Sequence, residues 1–399
     1  MATETAENVN TANQQQEDEE QQHNKLLEPV NVKATKQNAD AELEDPSAAA
    51  YLEHLLNEGA KEGDSGAEME MPTWYNEHMF TQGQTYMSKY RFVIQSGMLA
   101  GLVAVLAIPT ILRILICTRQ SSTPATAFRR YVRTIFHTNA WYEHKPTSKE
   151  SKFWTSLLNV RKAHSRSSRA CSKMSVGLIS QKDLALTQFG FIGFITLGAP
   201  RIHLYDDEFL ECTSHMWRVL GYLLGIKDEY NICGPTWAET KKRLEIVMRR
   251  VYRPALEETS EEFVVMTKSL LEGLWPVNTT LTVGSFLYFT KRLAYVPGYE
   301  YFDFDYVGGR TKDASHRLTY YKLGLWDRFL VSYGLFMVTY LHKYDIVRCY
   351  LNFRVWLNEQ LTYYLPYLAM WKFGFKTAYV RIFTKSGSGN EFTFSLQEN

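Results

Sequence analysis

The chain has no Gly-x-Gly-x-x-Gly run, no phosphate-binding loop and no Gly-x-Ser-x-Gly elbow. Those absences argue against nucleotide-dependent chemistry and against the common serine hydrolases. It also lacks a CxxC pair, and its five cysteines (Cys117, Cys171, Cys212, Cys233, Cys349) are scattered and odd in number. That is the pattern of thiols in a reducing compartment, not of a disulfide framework. His137, His144, His203, His215, His316 and His342 form no HxxxH or comparable pair, so sequence-local metal ligands are missing. The amino-terminal residues are acidic and Gln-rich with no apolar core, unlike a secretory signal, and an intracellular protein is expected.

The chain does hold a strongly divided charge and enough apolar residues for a sizeable core. Of its 399 residues, 45% are hydrophobic, and the net charge is only +1. Residues 1–70 hold 17 acidic and four basic side chains, leaving 40 basic and 26 acidic in the remainder. The basic part suits an anionic cofactor or an anionic membrane surface. No nucleic-acid-binding signature accompanies it, so a nucleic-acid partner is not expected. Residues 1–72 are poor in aromatics and too polar to bury a core, which predicts a disordered acidic arm with room for a short helix around Ala48–Leu56.

Beyond the arm, apolar residues recur at helical spacing. The pattern predicts helices near 80–117, 124–138, 150–172, 181–197, 206–225, 235–253, 259–274, 281–294, 318–345 and 349–373. The one strand signal is a carboxyl-terminal hairpin, 379–384 with 391–396, around Ser386-Gly-Ser-Gly-Asn390. The expected architecture is all-α: an arm over 1–72, a helical domain over 73–320, and terminal helices with a hairpin over 321–399. The apolar run Met98–Cys117 is long enough to span a bilayer, yet it contains Pro109 and Arg113 and reads equally as a core helix. Phe329–Leu341 and Tyr350–Phe375 read as a core helix pair or as a surface resting on a membrane, with the core placement expected.

Two segments carry candidate chemistry. Arg130, Arg133 and Thr134 stand at i, i+3 and i+4, so one helix face presents all three. They can donate hydrogen bonds to an oxygen species or a substrate carbonyl, or they can simply meet water. His164 lies among Arg161, Lys162, Arg166 and Arg169. A neutral imidazole there can ligate haem iron while guanidinium groups neutralise propionates, or it can be an ordinary helix histidine among solvated cations.

Asp183-Leu-Ala-Leu-Thr187-Gln188-Phe189-Gly-Phe-Ile-Gly-Phe194, Trp217-Arg-Val-Leu-Gly221-Tyr-Leu-Leu-Gly225-Ile and Val160-Arg-Lys-Ala-His164 tip the balance. Together, over roughly residues 80 to 300, they resemble the catalytic domain shared by the bacterial latex-clearing rubber oxygenases and the endoplasmic-reticulum-bound oxygenase MpaB of mycophenolic acid biosynthesis. The resemblance implies a globin-like, all-α fold holding a b-type haem, with His164 as proximal ligand; Arg161 and Arg169 are the local candidates for its propionates. It implies Arg130, Arg133 and Thr134 as distal groups, dioxygen as co-substrate, an apolar or polyprenyl substrate cleaved at a double bond, and association with the endoplasmic reticulum membrane. Arg133 departs from the family, which carries a lysine there, and a guanidinium is a poor iron ligand. No acidic residue lies in 111–122, where the rubber oxygenases carry a catalytic carboxylate. The other reading is a membrane-associated scaffold that keeps the fold without the chemistry.

Overall fold

The computed structural model describes residues 45–202, 204, 206–299, 304–305, 309–310 and 319–383. The all-α expectation holds. In chain order the first helices are α1 (Pro46–Asn57), α2 (Glu77–Lys89), α3 (Arg91–Val105), α4 (Pro109–Cys117), α5 (Pro124–Glu143), α6 (Lys152–Lys173), α7 (Gln181–Gly198) and α8 (Asp207–Leu223). They are followed by α9 (Trp237–Val247), which continues through a π-helical turn into α10 (Arg253–Glu257), then α11 (Glu261–Leu274) and α12 (Val283–Leu293). Last come α13 (Leu325–Phe336), α14 (Asp345–Tyr364), α15 (Tyr367–Phe373) and α16 (Phe375–Ala378). The β-structure among the described residues is one antiparallel pairing, Phe304–Asp305 with Gly309–Arg310.

The centre is the crossing of α3 and α7. Beyond Asp183, α7 carries no charged residue, and it is buried on nearly every side, as a helix apolar all round must be. A Cβ on Gly101 would stand 1.7 Å from the Gly190 carbonyl oxygen, and one on Gly97 would stand 2.6 Å from Ile195. Glycine is thus required for the two backbones to touch. Ser180 and Asp183 close a capping box at the start of α7, and Thr110 donates to Asp183 at 2.6 Å, tying α4 to the same turn.

Several expectations are corrected here. The predicted helix over 80–117 is three helices, with α3 and α4 meeting at 88° at Pro109, the first residue of α4. Proline fits the first turn of a helix but cannot continue one through its own position. Among the described residues no single helix is long and apolar enough to cross a membrane, and most of the 98–117 run is buried in the core. The arm expected to be disordered through residue 72 is ordered from Pro46. Leu52 and Leu55 of α1 are fully buried, and Tyr51 donates to the Tyr230 carbonyl at 3.0 Å. Three apolar residues on one face of a short helix were enough to dock it despite its acidic surroundings.

A strap over residues 58–66 then crosses the start of α7, Arg161 of α6 and the loop that follows α8. Gln181, fully buried, donates to the carbonyls of Gly63 (2.6 Å) and Gly225 (2.9 Å) and accepts from the Lys227 amide (2.9 Å). The described residues from Ser47 onward form one compact unit that includes the terminal helices. Of the expected hairpin, 379–383 is irregular and the remainder lies outside the described residues. The core placement expected for α13 and α14 is overturned: Trp326, Phe329, Tyr350 and Phe353 point outward.

Gly101→Ala is expected to cost about 3 kcal/mol or more, because backbone cannot yield to the added methyl. Gly198→Ala, at a position with open space around it, should change stability by less than about 1 kcal/mol. Denaturant melts of the two variants check this; equal midpoints would mean that the α3–α7 contact is looser than described.

Candidate functional site

α5 and α6 form a helical hairpin, and the candidate residues meet along its seam. Thr123 opens α5 with a capping box and Pro124 occupies the first turn, which sets the face that α5 turns inward. Near the link between the helices, His137 Nδ1 meets Ser156 Oγ at 2.7 Å. Two turns back along α5, and two turns on along α6, Arg130 and His164 lie close enough for their charges to act on each other. Arg130, Arg133 and His137 stand at i, i+3 and i+7, so one stripe of α5 presents them to α6.

His164 is half-buried, and its Nδ1 is sealed from solvent without a hydrogen-bond partner. Burial holds the imidazole down at about 4, with the Arg130 guanidinium pushing the same way and the Asp64 carboxylate pulling against it. Burial likewise holds His137 at about 4, assisted by Arg133 and His164. Burial lowers the Arg130 guanidinium as well, and among the described residues no carboxylate pairs with it. Burial and the neighbouring Arg129 lower Arg133. The seam therefore joins two neutral imidazoles to a cation without a counter-ion. Such a site can ligate a metal through an imidazole and attract an anion or an oxygen lone pair.

Two sequence-predicted residues do not join it as expected. Arg161 forms a bidentate pair with Asp64, at 2.5 and 2.8 Å, and also reaches Ser65 Oγ and the Leu223 carbonyl. Its fork is already filled, so its expected part as a free partner for a propionate is corrected. Arg169 is exposed, near the far end of α6. Thr134 is on the seam, but its hydroxyl donates to the Arg130 carbonyl at 3.3 Å within its own helix. Sequence reading missed Asp64, His137 and Ser156 as members of the site. His137 could have been found by extending the α5 stripe one turn. Asp64 is 97 residues from Arg161, and its local signature is no more than an Asx turn with Gly66. Among the described residues no three His, Cys, Asp or Glu side chains converge as a metal cage.

No protein-family model and no curated protein matches the sequence. The solved structure of latex clearing protein LCP in the closed state is similar to the chain, with 19% identity and a TM-score of 0.48, covering 80% of this chain and 90% of that one. A likeness so loose transfers no residue and no activity.

The imidazoles set an acid limit. His137, His164, His215 and His342 are all held at about 4, burial being the first cause in each, against 6.5 for an ordinary histidine. Below 6.5 the unfolded chain binds protons that the folded chain refuses. Stability is therefore fully present above pH 6.5 and is lost as pH falls toward 4. Denaturation midpoints across that window should decline, and His164→Gln should remove part of the slope. A flat profile would contradict the buried neutral state.

Arg130→Met removes a half-buried charge with no carboxylate partner among the described residues, and it is expected to stabilise the fold by up to about 1 kcal/mol. A fall in the denaturation midpoint would reveal a structural partner for the guanidinium.

Proposed function

We propose that the chain is a haem-dependent oxygenase acting with dioxygen on an apolar, isoprenoid- or lipid-like substrate, through the seam between α5 and α6. The observation that carries this reading is the His164 imidazole: neutral, with a sealed and unpartnered ring nitrogen, and beside a half-buried guanidinium that no carboxylate pairs with among the described residues. His215 Nε2 accepts the Asn76 amide at 3.1 Å, whereas His342 Nε2 is buried without a partner as His164 Nδ1 is; what sets His164 apart is the neighbouring Arg130 guanidinium. An unsatisfied nitrogen in that setting is what a ligand site looks like before its metal is considered. The local sequence around His164, similar to the haem-ligand helix of the rubber-oxygenase family, points the same way.

These residues fit a haem in part. His164 would hold the iron, and its neutral form leaves a nitrogen lone pair free for that bond. Arg130 would meet a propionate or the distal side; Arg161, filled by Asp64, would not. When bound, haem supplies the redox chemistry that lets dioxygen oxidise a carbon framework. The chain's own contributions are more limited. His164 is kept unprotonated by burial and by Arg130. The partly buried Arg130 guanidinium offers donors for charge-assisted hydrogen bonds. The Arg161–Asp64 pair places a carboxylate on the seam, acting on His164 from the side opposite in charge to Arg130. Cleavage of a carbon–carbon double bond, the finer expectation, rests on the family resemblance. The second reading, a scaffold without chemistry, is favoured by Arg133 standing where that family carries lysine.

Absorption spectra separate the two readings. Purified protein supplied with haem should show a Soret band that carbon monoxide shifts after reduction with dithionite. His164→Ala should lower the haem-to-protein ratio toward zero while far-ultraviolet circular dichroism stays unchanged. Full haem retention by that variant would remove His164 from the site, and the absence of a Soret band in the parent would leave the scaffold reading.

A further inference from the structure

The outermost helices carry their apolar residues on the wrong side for a protein surrounded only by water. Along α13, Trp326, Phe329 and Tyr333 are 61%, 54% and 40% exposed, and their rings stack on one another at 5.3 and 6.0 Å. Their spacing of i, i+3 and i+7 makes one stripe, and Phe336 and Tyr340 carry the exposed aromatics onward.

On α14 the usual amphipathic pattern is inverted. Ile346, Tyr350 and Phe353 face outward, Ile346 at 86% exposure. The inward contacts of the helix include Glu359, paired with Arg91 at 2.5 Å, and Asn352, which accepts from the Phe92 amide and donates to the Lys89 carbonyl. This helix is anchored to α3 through polar groups and shows its hydrophobic face to the surroundings. Large exposed apolar patches mark interaction surfaces.

Charge selects the occupant. Residues 319–383 hold eight basic and three acidic side chains. All three acids are engaged: Asp327 accepts from Thr282 at 2.5 Å, Asp345 pairs with Arg348, and Glu359 pairs with Arg91. Lys322, Lys343 and Lys376 are exposed around the aromatics. We propose that α13 and α14 form a docking surface for an anionic lipid bilayer, with the Trp and Tyr side chains at headgroup level and the lysines on the phosphates. Interfacial aromatics and a basic rim are the two elements of such binding. A second copy of this chain would bring like charges together across the contact, which disfavours it. The helices lie on the surface and do not cross it, since neither is long and apolar enough. The surface stands whether or not His164 holds iron, and its test involves no haem.

The full chain is sedimented with vesicles of phosphatidylcholine, and with phosphatidylcholine vesicles containing phosphatidylserine. It should partition onto the anionic vesicles, with a blue shift of tryptophan emission and release at high salt. Combined Trp326→Ser and Phe329→Ser substitutions, both at exposed positions, should lower the partition by at least about tenfold with unchanged circular dichroism. Lys322→Glu with Lys343→Glu should lower it without touching the apolar stripe. Sedimentation with neither vesicle, or equally with both, overturns the proposal. A lipid-independent dimer that the serine substitutions convert to monomer also overturns it, in favour of a contact between copies.

Discussion

The backbone contact between Gly101 and Gly190 is the constraint on which the rest of the arrangement depends. Two helices can approach so closely only where neither carries a side chain. At that distance α3 and α7 become one central element, and the other helices are placed around it. α4 is tied to the amino terminus of α7 by Thr110, and α14 is tied to α3 by Glu359 and Asn352. The apolar run that could have been read as a membrane span is consumed in making this centre.

The α5–α6 seam follows from different physics. Its polar groups are held by the geometry of a helical hairpin and by burial, and they are not satisfied by one another. Burial disfavours the charged form of His164, and the Arg130 guanidinium adds to the effect. A fold that keeps a half-buried guanidinium without a counter-ion among the described residues carries a cost of about 1 kcal/mol. Such costs are characteristic of sites shaped for something other than stability. The contrast with Arg161, equally basic in the sequence but fully engaged by Asp64, shows how much of the apparent basic character is spent within the molecule.

How far the sequence disclosed this depends on the range of the interaction. Helix existence was legible because the apolar period is local, but the division of 80–117 into three helices was not, because the apolar run continues across Pro109. Arg130, Arg133 and Thr134 shared a face as their spacing requires. At the arm the short helix around Ala48–Leu56 was legible, but the acidic composition of the stretch hid that Tyr51, Leu52 and Leu55 dock it into the core. The pattern misled at α14, where a periodic stripe says that one face is apolar but not which way that face looks. The pairing of Asp64 with Arg161 was beyond reach, since no local rule connects residues so far apart. Thr134 was placed correctly, yet its hydroxyl turned out to bond its own helix, a competition that spacing alone does not reveal.

The strap over residues 58–66 has a kinetic meaning. During synthesis it emerges well before the helices that receive it. Its contacts close loops of 97 residues to Arg161, 118 from Gly63 to Gln181 and 165 from Glu62 to Lys227. Contacts that close such long loops form late, because chain entropy must be overcome before they contribute anything. The strap is therefore among the first parts made and the last to settle. Until it docks, Arg161 has no carboxylate and the surroundings of His164 are more positive than in the finished molecule. Completion of the seam thus acts as a report that the whole chain, from α1 through α8, has reached its final arrangement.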